Sequence, residues 1–96
     1  MRNCNLFRKA GIHHILSVVI LMDVSQIEKY KLLGLNVAYY RHRRGLTQEQ
    51  LAEKVNIDRT HVGNLEVART GTSLDVVFRI SDVLEVPVYK LFDFRE

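Results

Sequence analysis

Leu46-Thr47-Gln48-Glu49-Gln50-Leu51-Ala52-Glu53-Lys54-Val55-Asn56-Ile57-Asp58-Arg59-Thr60-His61-Val62-Gly63-Asn64-Leu65-Glu66 is the stretch that decides the fold of this chain. Thr47 followed three residues later by Gln50 is a capping box, in which side chain and backbone satisfy each other at a helix start. Leu51, Ala52 and Val55 then recur at helical spacing and give helix 2 an inner face. Asn56 stops that helix, because Asn tolerates a left-handed backbone. Asp58 is placed to cap helix 3, which runs from Arg59 to about Val67. Two short helices joined by Asn56-Ile57 leave little room. Ala52 is small where helix 3 must approach, Ile57 plugs the turn, and Val62 and Leu65 pin helix 3 across helix 2.

That packing turns Arg59, Thr60, His61, Gly63 and Asn64 outward. An exposed helix face with these side chains suits a DNA major groove. Arg can bond guanine O6 and N7, Asn can bond adenine, and Thr can touch a thymine methyl. The start of helix 2 also offers backbone N–H groups to a phosphate.

Upstream, helical periodicity predicts helix 1 over residues 26–44, with Leu33, Val37 and Tyr40 as one core stripe. Leu32, Leu35 and Tyr39 form a second apolar set on another face, which asks for a cover. Gly45 ends the helix behind a cationic last turn of Arg41, His42, Arg43 and Arg44. Downstream, Thr72-Ser73-Leu74-Asp75 reads as a second capping box that starts helix 4. Leu74, Val77, Ile80 and Leu84 are expected to point inward from it. Pro87 sits at or just before the first turn of a short helix 5, and Leu91 and Phe92 are expected to close the core.

These residues resemble the phage repressor/Cro type of helix-turn-helix regulator, also called the XRE family. The likeness is carried by Leu46 through Ile57, then Val62, Leu65-Glu66, and Leu74 through Phe92, and it covers about residues 26–93. The resemblance implies an all-α, five-helix lambda-repressor-like domain whose third helix enters the major groove as part of a homodimer. Arg59, Thr60 and Asn64 match base-reading positions. Gln48 and Arg69 match phosphate-contacting positions, and His61 and Arg44 are expected to add backbone contacts. Arg41 and Glu66 match a structural ion pair. Val76, Val83, Tyr89 and Phe94 around helices 4 and 5 are the first choice for the dimer face, because family members often pair there, and the N-terminal arm with Leu32, Leu35 and Tyr39 is the second. The chain departs from the family pattern in Asn56, Thr72 and Glu85, which stand where Gly, Pro and left-handed Gly are common. Val67, Ala68 and Gly63 also depart from it, and weaken the expected phosphate contacts.

The charge balance needs dissection before it is used. Residues 1–21 hold Arg2, Arg8 and Lys9 and no acid, so they account for the whole net charge of +3. Residues 22–96 hold eleven basic and eleven acidic side chains. The position of charge therefore matters more than its sum. Residues 41–71 carry six basic and four acidic groups, a modest tilt in the right direction for a DNA face.

At 96 residues, one domain is expected over 25–96, preceded by an extension over 1–24. The apolar stretch Ala10 to Met22 is too short to span a bilayer, which needs about 20 apolar residues, and no small-x-small cleavage site follows it. Two readings remain for it. Met22 is the true start and the upstream residues are a non-native leader, or Ile12 to Leu21 forms a strand or arm that packs on the domain or a partner. The arm is preferred. The single cysteine, Cys4, excludes an internal disulfide and a Cys-rich zinc site, and fits a reducing cytoplasm. No phosphate loop, HExxH motif or catalytic pairing occurs, so neither an enzyme nor a cofactor is expected. The expected partner is double-stranded DNA with a near-palindromic operator, and no membrane. The rival reading is an antitoxin or similar module on the same fold, binding a partner protein such as a toxin through the N-terminal segment and helix 1.

Overall fold

The structure is a computed structural model that describes residues 23–94. Its order is a single 3-10 turn, Val24–Gln26, then α1 (Ile27–Arg43), α2 (Gln48–Val55), α3 (Arg59–Glu66), α4 (Leu74–Leu84) and α5 (Val88–Leu91). The five helices are those expected from the sequence, and no strand occurs among the described residues. The expected arm or leader lies outside the described residues.

The core is one cluster into which every helix sends side chains. Leu33 and Val37 come from α1, Leu51 and Val55 from α2, Val62 and Leu65 from α3, Ile80 and Leu84 from α4, and Leu91 from α5. Burying a side chain of this size contributes about 1.5–3 kcal/mol, which makes these nine the main apolar support of the domain. Polar side chains staple the helix ends to this core. Asn36 donates to the carbonyls of Leu91 and Asp93 at 2.9 and 3.1 Å, which ties the end of α5 to α1. Arg79 of α4 donates to the carbonyl of Val55 at 3.0 Å, which satisfies an acceptor left over at the end of α2.

Helix ends explain where the chain turns. The Thr47–Gln50 capping box is present in both directions, at 3.0 and 2.9 Å. Four helices then stop in the same way, with a left-handed residue at φ +71° (Gly45), +68° (Asn56), +60° (Ala68) or +59° (Glu85). After each, an N–H reaches back five residues: Leu46 to Arg41, Ile57 to Ala52, Arg69 to Asn64, and Val86 to Ser81, all at 2.8–3.1 Å. This is the Schellman closure, which satisfies carbonyls that the helix itself leaves open.

Five expectations need correction. The cap of α4 is Ser73, whose hydroxyl accepts from Val76 N, while the Thr72 hydroxyl is taken by His61. Leu74 is 60% exposed, because as the first residue of α4 it projects beyond the neighbouring helices. Phe92 is exposed too, and it is Phe94 that packs partly on the core. Asp58 begins α3 without a side-chain cap bond. Val76 is buried in the chain's own core, so it has little surface left for a dimer partner.

Candidate nucleic-acid interface

The face built by the start of α2 and the outer side of α3 rests on a buried ion pair. Arg41 of α1 donates through Nε to Glu66 Oε2 at 2.6 Å and through Nη2 to Glu66 Oε1 at 3.1 Å. Its third arm, Nη1, donates to the carbonyl of Leu46 at 2.8 Å. The guanidinium therefore bridges the end of α3 to the loop that delivers Thr47. Both side chains are less than a tenth exposed, and no buried side-chain polar atom of the described residues lacks a partner. A buried pair survives desolvation only when its remaining donors and acceptors are satisfied in this way.

The pair requires α1 and α3 to come very close. Gly34 makes that possible: a Cβ there would sit 2.5 Å from the carbonyl oxygen of Leu65 and 2.6 Å from that of Glu66. Any side chain would push the helices apart.

From Glu66 the network runs outward. Gln48 Nε2 donates to Glu66 Oε1 at 2.9 Å, and Gln48 Oε1 accepts from Arg59 Nη1 at 3.1 Å. Chemistry alone fixes the orientation of this amide, since a carboxylate only accepts and a guanidinium only donates. Gln48 is half-buried and Arg59 is exposed. Neither partner is near the other in sequence, and no periodicity signals the contact, so sequence reasoning missed it along with Gly34.

The other expected residues fall as follows. Thr60 is exposed on α3 next to Arg59, and Asn64 is half-buried one turn further on. His61 Nε2 lies 3.1 Å from Thr72 Oγ1, which braces α3 against the start of α4. Arg69 is exposed just past the left-handed Ala68. Arg44 is drawn away from this group into an exposed ion pair with Glu85 at 2.6 Å. Tyr89 is 65% exposed, whereas Val83 and Phe94 are partly spent on the core. The face is not purely basic, since Glu49, Glu53 and Asp58 are exposed near it.

Two crossed short helices, a capped α2 start and an outward polar face on α3 are the parts of a helix-turn-helix. The helix-turn-helix family profile matches residues 37–91, more than half of the chain. The chain belongs to the helix-turn-helix family of the phage repressor/Cro (XRE) type.

Control protein C.SmaI of Serratia marcescens is 33% identical to it over 69 residues, which is 72% of this chain and 82% of that protein. The restriction-modification controller protein C.AhdI from Aeromonas hydrophila superimposes with a TM-score of 0.64 at 28% identity, covering 66% of this chain and 96% of that one. A hypothetical transcription factor from Neisseria, NHTF, gives 0.64 at 29% identity over 75% of this chain and 80% of its own. This helix-turn-helix protein is a DNA-binding transcriptional regulator. No helix among the described residues is long and apolar enough to cross a membrane.

Proposed function

We propose that the protein is a sequence-specific repressor-type regulator that binds a near-palindromic operator in double-stranded DNA as a homodimer, with α3 in the major groove. The observation that carries this reading is the outer side of α3. Arg59 and Thr60 stand exposed in its first turn with Asn64 one turn on, while its inner residues Val62 and Leu65 are fully buried. The helix is therefore rigidly seated and presents side chains of the types that read base edges. Gln48 and Arg69 flank it as phosphate contacts. One Nε2 hydrogen of Gln48 goes to Glu66, which leaves the second for a phosphate oxygen. Two relatives are named as control proteins, one of them of a restriction-modification system. A controller of that class is the role we assign, acting in the cytoplasm.

The experiment is selection of bound duplexes from a random pool, followed by affinity measurements on the selected site and its single-base variants at fixed salt. Arg59→Ala is expected to relax preference at one position of each half-site by about 1–3 kcal/mol. Unchanged preference at every position counts against α3 as the reader.

A second reading is favoured by one observation. Leu35 and Tyr39 are 61% and 53% exposed on one side of α1, an apolar surface that DNA binding does not use. A protein partner, such as the toxin of an antitoxin pair, would cover it. A stable complex with a neighbouring gene product, with no sequence selected from the DNA pool, would put this reading first.

A further inference from the structure

We propose that the apolar segment of residues 12–21 seats in a groove of its own domain, between the start of α1, the start of α4 and the aromatic residues after α5. The inference goes beyond the DNA-binding reading and does not depend on it, since neither Gln48, Arg59, Thr60, Asn64 nor Arg69 lines this groove.

The groove holds about 360 Å³. Buried Leu33 of α1 and Val77 of α4 belong to its lining, and so does Phe94. Leu74 and Phe92 also line it, yet they are left 60% and 41% exposed. The Phe92 ring lies 6.3 Å from that of Phe94, centroid to centroid. Large apolar side chains left in water around a concavity mark a place where something docks. A site for a small polar ligand would offer several placed polar groups. Of the described lining residues Lys29 alone is charged, and it is exposed. The occupant is therefore apolar.

The chain carries such an occupant next to the groove. Seven of the ten residues 12–21 are Ile, Leu or Val, and none is Asp, Glu, Lys or Arg. Leu21 stands five positions before Gln26, which lines the groove. Asp23 starts the first helical turn: its carboxylate accepts from Ser25 N at 3.0 Å, and its carbonyl accepts from Gln26 N at 2.8 Å. A residue that caps a helix in this way takes the chain off the helix axis, and here it does so at one end of the groove. The α1 wall from Gln26 to Leu33 is about 10 Å long, which about four extended residues cover. Residues 12–21 thus have length to spare. A short tether also gives the segment an effective concentration in the millimolar range, ahead of any separate partner. A second copy is a poor occupant by shape. In a two-fold pair the same patch meets itself, and a groove facing a groove fills neither.

The test uses the full chain carrying a nitroxide at one cysteine, introduced by Ser17→Cys in a Cys4→Ser background. The nitroxide broadens amide signals close to it. Broadening is expected to be strongest at Tyr30, Leu74 and Phe92. It is expected to be weakest at Lys54, which lies with Val83 and Glu85 at the far end of α4. Adding Leu74→Asp, or separately Phe92→Ser, puts a polar group into the groove at an exposed position, and each should restore the lost intensity. The unchanged amide spectrum of the core verifies that these variants fold. In a mixture of labelled chain without isotope and isotope-enriched chain without label, the groove signals should keep their intensity. Loss in that mixture would assign the groove to the segment of a second copy and overturn the proposal. Groove signals that never broaden, or broadening that survives both substitutions, would overturn it as well. Base preference in the duplex selection is a separate readout, so either reading can fail without the other.

Discussion

Two glycines inside helices look alike in the sequence and are opposites in the structure. A helical Gly costs about 1 kcal/mol relative to Ala wherever it stands, because it loses the most backbone freedom on folding. At Gly63 that cost has no steric return, since the nearest neighbour to an added Cβ is 3.5 Å away, an ordinary contact. Gly63→Ala is therefore expected to raise the thermal midpoint by about 4–8 °C, the usual response of a domain this size to 1 kcal/mol. At Gly34 the added Cβ would meet two carbonyl oxygens of α3 at 2.5 and 2.6 Å. Backbone atoms cannot step aside as a flexible side chain can. Gly34→Ala should lower the midpoint by an amount corresponding to at least 1–3 kcal/mol, roughly the cost of overpacking. Thermal unfolding of the two variants side by side checks both signs, and two shifts in the same direction would refute the assignment. Helical periodicity sees only a gap in a pattern at either position. The close approach exists only once α1 and α3 have crossed.

The elements were legible to the extent that their ends carry local chemistry. Thr47 and Gln50 announce α2 because both halves of a capping box lie within four residues. The start of α4 is ambiguous for the same local reason: Thr72 and Ser73 each offer a hydroxyl at cap spacing. A tertiary contact, His61 with Thr72, decides that Ser73 serves as the cap. Helix stops follow the same division. Gly45 and Asn56 are residues that favour a left-handed backbone, whereas Ala68 and Glu85 adopt it at φ +60° and +59° against their preference. For an L-residue with a Cβ that conformation costs on the order of 1–2 kcal/mol. Glu85→Gly removes the strain and also removes the ion pair with Arg44, in which both side chains are well exposed. Exposed pairs contribute little, typically below about 1 kcal/mol, so the strain term is expected to win. Denaturant unfolding should show Glu85→Gly more stable by about 1 kcal/mol, with Arg44→Ala within about 0.5 kcal/mol of wild type. A destabilised Glu85→Gly beside a comparably destabilised Arg44→Ala would mean that the pair outweighs the strain.

At the scale of the whole molecule, net charge was the misleading signal, because all of it comes from residues 1–21. The described domain has no net charge to hold it on DNA, only the local basic tilt of residues 41–71. On the proposed reading, one eight-residue α3 offers Arg59, Thr60 and Asn64 as a small set of base contacts. Each matched base pair contributes about 1–3 kcal/mol of discrimination, so a single copy separates its site poorly from the background of other sequences. Two copies joined by a dyad square that discrimination and place their α3 helices about 34 Å apart, one helical turn of DNA. For the proposed homodimer, candidates for the joining surface were only partly readable. Of the four candidates named from the sequence, Val76 is buried in the chain's own core, and Val83 and Phe94 are partly used there. Tyr89 is 65% exposed, and Phe78, not among those candidates, is 46% exposed on the neighbouring helix. A ring of Tyr size left in water on a small domain is where a second copy gains most from burial. Tyr89→Asp is therefore expected to shift sedimentation from dimer to monomer at micromolar protein. It should raise the concentration for half-saturation of a two-half-site duplex by tenfold or more, and leave base preference within each half-site unchanged. Wild-type protein that sediments as a strict monomer and occupies a single half-site would refute the dimer. A Tyr89→Asp protein that still dimerises would move the interface to Leu35 and Tyr39, an exposed apolar pair on α1.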